Sequence, residues 1–255
     1  MEIGSGQGIV AIDIQRLCPV ANVSGINKPF RFGDVARSSE DIVSMNLRYK
    51  NPNHLLLTPN VPSICYTEHT LACAQEQPSA SMDLIVSQHT FHYLPFEEVR
   101  QYVIEIVRLL KPTHGLACIS LPRQLKSKEL ANTTKAAEKG VLLTHVAVDV
   151  GDHAIGVALF AKPLPASENW GHTSLQSRRL GDDSVDVMSL IIVRGAELVK
   201  ILRAEVESAQ RMLNSDIDGI GWTESIRTWK ETHWMELANA AVYAATSPPR
   251  PPARH

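Results

Sequence analysis

The sequence predicts an α/β fold in which a doubly wound, mostly parallel sheet closes in an antiparallel hairpin and is followed by C-terminal helices. Three observations support this fold class. The chain opens with an apolar segment that leads directly into a glycine-rich turn. Short apolar segments then alternate with amphipathic ones, which is typical of strands alternating with helices. Two longer apolar segments, separated by Gly-Asp-His at 151–153, have the pattern of a hairpin.

The first unit is predicted to be a strand, a glycine turn, a helix and a second strand. Residues 1–3 resemble the end of an apolar strand, and Gly-Ser-Gly-Gln-Gly follows at residues 4–8. Residues 9–17 carry enough apolar positions for a helix packed on a sheet. Proline disfavours helix before it, so Pro19 should end this helix. Residues 21–26 are predicted to form the second strand.

The alternation continues through the middle of the chain. Residues 95–110 form the clearest predicted helix, because Val99, Val103 and Ile106 recur on one face and Pro112 follows its end. Two further helices are predicted at residues 38–49 and 125–139. The remaining strands are predicted at residues 62–66, 82–87, 116–121, 142–150 and 154–161.

The predicted domain organisation has three parts. Residues 1–163 form the main α/β domain, residues 164–246 a helical C-terminal extension with a strand near 185–193, and residues 247–255 a proline-rich disordered tail. Apolar stripes at helical spacing run through residues 198–213 and 226–241. These stripes either pack on the main domain or form a lid or an interface, for example in a homodimer.

Composition excludes several classes of function. The 25 basic and 27 acidic residues are mixed along the chain, which disfavours nucleic acid and anionic membranes as partners. The four cysteines form no CxxC pair, so the sequence predicts ordinary buried thiols of a reducing compartment, with neither a zinc knuckle nor a dithiol redox site. No segment reaches the roughly 20 apolar residues of a membrane span. We therefore expect a cytoplasmic protein.

Four segments carry a resemblance to a known family. They are Glu-Ile-Gly-Ser-Gly-Gln-Gly at 2–8, Ser-Met-Asp-Leu-Ile-Val-Ser-Gln-His at 81–89, Leu-Leu-Lys-Pro-Thr-His-Gly at 109–115, and the hairpin at 146–162. Together they resemble the first motif, the fourth strand, the turn before the fifth strand and the terminal hairpin of class I S-adenosylmethionine-dependent methyltransferases. The resemblance covers about residues 1–162 and implies a Rossmann-like fold that binds S-adenosylmethionine.

The resemblance also implies a set of cofactor-binding residues. They are Glu2, Gly4, Ser5, Gly6, Gly8, Asn27, Ser87 and Gln88. The glycines suit a sharp turn whose backbone N–H groups approach a polar ligand. Asn27 stands where the family usually has an acidic residue that binds the ribose, and this departure also argues against NAD. The adenine should lie near residues 68–71, where no single residue can be assigned.

The expected function is methyl transfer from S-adenosylmethionine to a small organic molecule. Positioning supplies most of the catalysis of such a transfer, and a base is optional. His89 or His92 are the candidate catalytic residues, because an imidazole can accept or orient an acceptor proton near neutral pH. His92 has the alternative of packing beneath the helix that starts near Phe96. No metal is expected. The alternative function is a catalytically silent cofactor-binding or scaffold subunit that acts through its C-terminal helices.

Overall fold

A computed structural model describes the chain at residues 1–6, 9–28, 31–32, 35–36, 63–88, 90–91, 94–121, 141–148, 153–162, 187–216 and 235–247. The predicted helices at 38–49 and 125–139, the linker at 163–183 and the tail from residue 248 lie outside the described residues. Within the described residues, no helix has both the length and the apolar character needed to cross a bilayer.

Most described strands and helices follow the predicted order, but the short strands at residues 31–32 and 35–36 and the helix at residues 70–76 were not predicted. The strands are β1 Glu2–Ile3, β2 Ser24–Asn27, β3 Arg31–Phe32, β4 Val35–Ala36, β5 Ser63–Tyr66, β6 Leu84–Ser87, β7 Leu116–Leu121, β8 Val141–Val148, β9 Ile155–Lys162 and β10 Val187–Arg194. The helices are α1 Ile9–Leu17, α2 Thr70–Glu76, α3 Phe96–Leu109, α4 Ala196–Asp216 and α5 Met235–Thr246.

The described strands form one sheet of eight strands and a separate pair, β3 and β4. The order in the large sheet is β5-β2-β1-β6-β7-β10-β9-β8. The strands from β5 to β7 are parallel to one another, whereas β10, β9 and β8 pair antiparallel. The predicted α/β class, with a mostly parallel sheet and antiparallel end strands, is confirmed.

Strand β10 changes the predicted arrangement of the sheet. The predicted hairpin exists as β8 and β9, but it does not lie next to β7, because β10 pairs with β7 on one side and with β9 on the other. Leu190, Ile192 and Val193 of β10 are all buried, as expected of a strand inside a sheet. Residues past 163, where the sequence pattern placed the domain boundary, therefore lie within the sheet. We propose a boundary after β10.

The C-terminal helices cover the two faces of this sheet. On one face, Val199, Leu202 and Val206 of α4 pack with Ala158 and Val193. A Cβ on Gly156 would lie 2.9 Å from Leu202 Cδ2, so α4 approaches β9 closely.

On the other face, α5 packs on α3 through Leu237, Ala238 and Ala241, which belong to the main core with Val103 and Ile106. The described parts of both apolar stripes are thus buried within the chain.

Arg108 of α3 forms a buried ion pair within its own helix and also binds the end of α2. Arg108 Nε donates to Glu105 Oε2 at 2.6 Å, and the two side chains are 15% and 3% exposed. The same guanidinium donates to the carbonyl oxygens of Ala74 and Gln77 at 3.0 and 2.9 Å. Ala74 lies in the last turn of α2 and Gln77 directly follows the helix, so Arg108 binds the carbonyl end of α2, where helices have spare acceptors. Arg108 therefore holds α2, which follows β5, against α3.

Candidate functional site

The carboxyl ends of four parallel strands meet at one edge of the sheet. The register pairs Glu2 of β1 with Gly25 of β2 and with Val86 of β6, and it pairs Asn27 of β2 with Tyr66 of β5. Chain connections run outward from β1 in both directions, so this edge contains the topological switch point at which open α/β sheets bind ligands. The residues that follow these strands therefore surround one crevice.

The glycine turn lies at the carboxyl ends of the neighbouring strands, where the resemblance predicts it. The Gly4 N–H donates to the Ile26 carbonyl oxygen at 2.7 Å, and Thr90 Oγ1 donates to the carbonyl oxygens of Ile3 and Gly4 at 3.2 and 3.3 Å. Contacts therefore bring together the segments that follow β1, β2 and β6. Gly8, the third predicted glycine, lies outside the described residues.

Glycine is required at the first position of the turn. Gly4 has φ +72° and Gly6 has φ +53°, in the left-handed region that residues with a Cβ rarely adopt. A Cβ on Gly4 would lie only 1.6 Å from Thr90 Oγ1. The turn and the segment after β6 are therefore in direct contact, and Thr90 is a structural residue of the site that the sequence pattern did not single out.

The backbone N–H groups of the turn are used differently from the sequence expectation. Those of Gly4 and Ser5 both donate to the Ile26 carbonyl oxygen, at 2.7 and 3.2 Å. They hold the end of β2 against the turn and are not directed at a ligand. Polar contacts for a cofactor at this part of the edge must therefore come from side chains or from other backbone groups.

Two buried hydroxyl groups at this edge have no hydrogen-bond partner among the described residues. Ser5 is 4% exposed and Ser87 is 1% exposed, and the Oγ atoms of both lack a partner. A Cβ on Gly25 would lie 2.8 Å from Ser5 Oγ, which shows that glycine at that position makes room for Ser5. A buried hydroxyl without a partner is costly, so this pair fits a site that a polar ligand completes.

Glu2 contacts the protein itself. Its Oε2 accepts a hydrogen bond from the Ala11 N–H at 2.9 Å, and the residue is 3% exposed. Ala11 is the third residue of α1, where helix N–H groups lack internal partners. Burial raises the pKa of Glu2 to about 7, against the lowering effect of the Ala11 hydrogen bond. Glu2 therefore anchors the start of α1 to β1, and its contact with a cofactor stays a prediction.

Asn27 stands at the exposed end of β2, where the ribose contact was predicted. Its side-chain Nδ2 donates to the Lys28 carbonyl oxygen at 2.7 Å, and the backbone carbonyl oxygen of Asn27 accepts from the Thr67 N–H at 2.8 Å. The second contact ties the segment after β5 to the segment after β2. The side chain is half-buried, so it can be reached by a ligand in the crevice.

The residues near the predicted adenine position divide into two groups. Thr70 and Leu71 belong to the packing of α2: Thr70 Oγ1 lies 2.5 Å from the hydroxyl of Tyr102, and Leu71 contacts the main core. Burial raises the pKa of the Tyr102 hydroxyl, so it stays protonated. Glu68 and His69 are exposed ahead of α2. They are the members of the predicted group that remain accessible.

The segment after β6 is described only in part. Gln88 is exposed, and its carbonyl oxygen accepts from Thr90 Oγ1 at 3.4 Å. Phe91 is fully buried, with its ring edge-on to Tyr102 at 5.2 Å between centroids. His89 and His92, the candidate catalytic residues, lie outside the described residues. Among those that are described, no group of three or more His, Cys, Asp or Glu side chains is arranged to hold a metal ion.

The turn before β7 lies at the opposite end of the sheet. A Cβ on Gly115 would lie 2.7 Å from the Lys111 carbonyl oxygen, so this turn also needs glycine. Lys111 Nζ and His114 Nε2 each lie 2.7 Å from Asp83 Oδ1, and their hydrogen bonds lower the pKa of Asp83. The resemblance at 109–115 thus corresponds to a structural turn away from the crevice.

One family model and several solved structures are similar to this chain. A family model described as "Methyltransferase domain" matches residues 1–118. No curated protein sequence matches the chain. Similar solved structures include one described as PigF with SAH, at 20% identity and a TM-score of 0.31. The match covers 47% of this chain and only 30% of that protein.

Two further similar structures are longer matches. Magnesium protoporphyrin IX methyltransferase from Synechocystis with bound SAM is 14% identical, with a TM-score of 0.37 and coverage of 76% of this chain and 68% of that one. The 1,6-didemethyltoxoflavin-N1-methyltransferase from Burkholderia thailandensis is 12% identical, with a TM-score of 0.41 and coverage of 76% and 69%. The family match covers residues 1–118 of the 255 in the chain, so this part of the chain is similar to a methyltransferase domain.

Proposed function

We propose that the chain binds S-adenosylmethionine at the carboxyl ends of β1, β2, β5 and β6 and transfers its methyl group to a small organic molecule. One observation carries the proposal: a glycine turn at the topological switch point is accompanied by two buried hydroxyls, Ser5 and Ser87, that have no partner among the described residues. When bound, the cofactor supplies an activated methyl group on its sulfonium.

The chain's own residues would bind and orient the reactants. Ser5 and Ser87 offer hydroxyls beside the glycine turn, and Asn27 offers an amide at the end of β2 that can accept from or donate to ribose hydroxyls. His89 and His92, which follow β6, would orient or accept a proton of the methyl acceptor. Most of the rate enhancement would come from holding the acceptor in line with the transferred methyl group.

A small acceptor is favoured by the charge of the chain. The 25 basic and 27 acidic residues leave a formal net charge of −2, which offers no general attraction for a polyanion such as a nucleic acid. A neutral or weakly polar small molecule needs no such attraction. Two of the similar structures are described as methyltransferases of a porphyrin and of a toxoflavin precursor, both small molecules.

The silent scaffold subunit remains the alternative. Its interface was assigned to the C-terminal helices, where Leu202 and Val206 of α4 are buried against the sheet and Leu237 of α5 is buried in the main core with α3. A homodimer through these helices stays a prediction, and it would use their exposed faces, which carry Ile201 and Tyr243.

Calorimetric titration with S-adenosylmethionine tests the binding site. Asn27→Ala should weaken binding several-fold, since it removes hydrogen bonds to the ligand. The matched control is Asn22→Ala, an exposed asparagine ahead of β2, which should bind as the wild type does. Equal affinity of the two variants would contradict the assignment of Asn27.

Incubation with methyl-labelled cofactor and a fractionated metabolite extract tests the transfer. Label in a small-molecule fraction, reduced several-fold with the Asn27→Ala variant at low cofactor concentration, would support the proposed function. Cofactor binding without label transfer to any small molecule would instead support the silent subunit.

A further inference from the structure

Two cysteines are in contact near the carboxyl end of β5, one of the strands that border the crevice. Cys65 lies in β5 and Cys73 in α2, eight positions later, and the chain reverses direction between them. The Cys73 thiol donates to Cys65 Sγ, with the two sulfur atoms 3.3 Å apart. The sequence pattern predicted no dithiol, because the spacing is not that of a CxxC motif. The strand-to-helix turn nevertheless brings the two thiols into contact.

Both thiols of this pair can be reached from solvent. Cys65 is exposed and Cys73 is half-buried, and Cys18 and Cys118 are exposed as well, so the prediction of ordinary buried thiols is wrong. Burial and the hydrogen bond to Cys65 raise the pKa of Cys73 to about 11. Cys73 therefore keeps its proton near neutral pH, and the more exposed Cys65 is the sulfur that a reagent meets first.

We propose that Cys65 and Cys73 are a redox modification site that forms an intramolecular disulfide by exchange with a small disulfide of the glutathione type. The Cys65 thiolate attacks one sulfur of the small disulfide, forms a mixed disulfide and releases one small thiolate, which takes up a proton. Cys73 then gives up its proton and attacks Cys65 Sγ, which releases the second small thiol. Two electrons pass from the protein dithiol to the small disulfide.

The geometry requires only a small movement. A disulfide has its sulfur atoms at about 2.05 Å, so the two Sγ atoms must approach by little more than 1 Å from their present contact. Rotation of two side chains can provide this. Because the pair already touches, the effective concentration of Cys73 at the mixed disulfide should far exceed that of any second small thiol.

The bridge would fix the segment that borders the crevice. Between the two cysteines lie Thr67, whose N–H donates to the Asn27 carbonyl oxygen at 2.8 Å, and the exposed Glu68 and His69. Oxidation would join the strand before this segment to the helix after it. Cross-linking a short loop lowers the entropy of the unfolded chain, so the melting temperature should rise by on the order of 5 °C.

The test is oxidation of the full chain with oxidised glutathione, followed by blocking of free thiols and peptide mapping by mass spectrometry. We expect a cross-linked peptide that contains Cys65 and Cys73, together with the rise in melting temperature, and both should be reversed by reductant. Cofactor binding is not part of this readout, so its outcome is independent of the proposed methyl transfer.

Two variants make the result decisive. In Cys73→Ser, Cys65 should stop at the mixed disulfide with glutathione, and the melting temperature should not rise. In Cys18→Ser, which removes an exposed cysteine after α1, the cross-link should form as in the wild type. Separate glutathione adducts on Cys65 and Cys73 in the oxidised wild type, or equal melting temperatures for oxidised wild type and Cys73→Ser, would overturn the proposal.

Discussion

Replacement of Ser87 by alanine should separate the stability of the unliganded protein from its affinity for S-adenosylmethionine. Ser87 is 1% exposed, and its hydroxyl has no partner in the described part of the chain. A buried hydroxyl left unpaired costs about 1–3 kcal/mol. Removing it should therefore leave the free energy of unfolding unchanged or raise it by up to about 1 kcal/mol, after allowance for the lost volume of the oxygen.

The affinity for the cofactor should change in the opposite direction. A hydrogen bond contributes about 0.5–1.5 kcal/mol net, which corresponds to a dissociation constant roughly 2-fold to 13-fold higher in the variant. Urea denaturation of the unliganded protein gives the first quantity, and calorimetric titration with S-adenosylmethionine gives the second. Ser63→Ala is the control, because Ser63 is exposed at the start of β5, away from the carboxyl ends of the strands.

One pattern of results would refute the reasoning. If Ser87→Ala lost more than about 1 kcal/mol of stability while its cofactor affinity stayed at the wild-type value, the hydroxyl would have a partner within the chain. The buried hydroxyls would then say nothing about a ligand.

Two further predictions concern stability. Arg108→Ala should cost about 3–5 kcal/mol in urea denaturation because it breaks a buried ion pair and the hydrogen bonds to the carbonyls of Ala74 and Gln77. Arg100→Ala, which removes an exposed pair, should cost under about 1 kcal/mol, and equal costs would contradict the structural role of Arg108. The pKa of Glu2 is raised to about 7 from 4.5, so the folded state retains a proton that the unfolded state releases in this interval. Stability should therefore fall by up to about 3 kcal/mol as the pH rises from 4.5 to 7, and melting curves of Glu2→Gln should lack this decline.

Much of the fold could be predicted because its signals are local. The helix at 95–110 is α3, and the strand at 116–121 is β7. Hydrophobic periodicity and flanking prolines depend only on near neighbours in the chain, so the sequence displays them directly. The shared edge was predictable as well: the glycines after β1 and the polar residues after β2 and β6 lie there, because parallel strands share their carboxyl ends.

Other features of the site depend on contacts between distant residues. Thr90 lies against Gly4 across 86 positions, and nothing in its local sequence indicates this. The role of Glu2 was predicted from its neighbouring glycines, yet its carboxylate binds the start of α1. The positive φ angle of Gly4 is a local property of the turn. The close approach of Thr90, which also requires glycine there, depends on the tertiary structure.

The sequence by itself determined the α/β class, the glycine turn after the first strand and the positions of α3 and β7, since all of these follow from local patterns. Only the tertiary structure decided that β10 enters the sheet between β7 and β9, that Cys65 touches Cys73, and that the stripes of α4 and α5 cover the sheet. The physical reason is that strand pairing and side-chain contact depend on which surfaces meet in space. An apolar stripe shows that a surface must be covered, but it does not show by what.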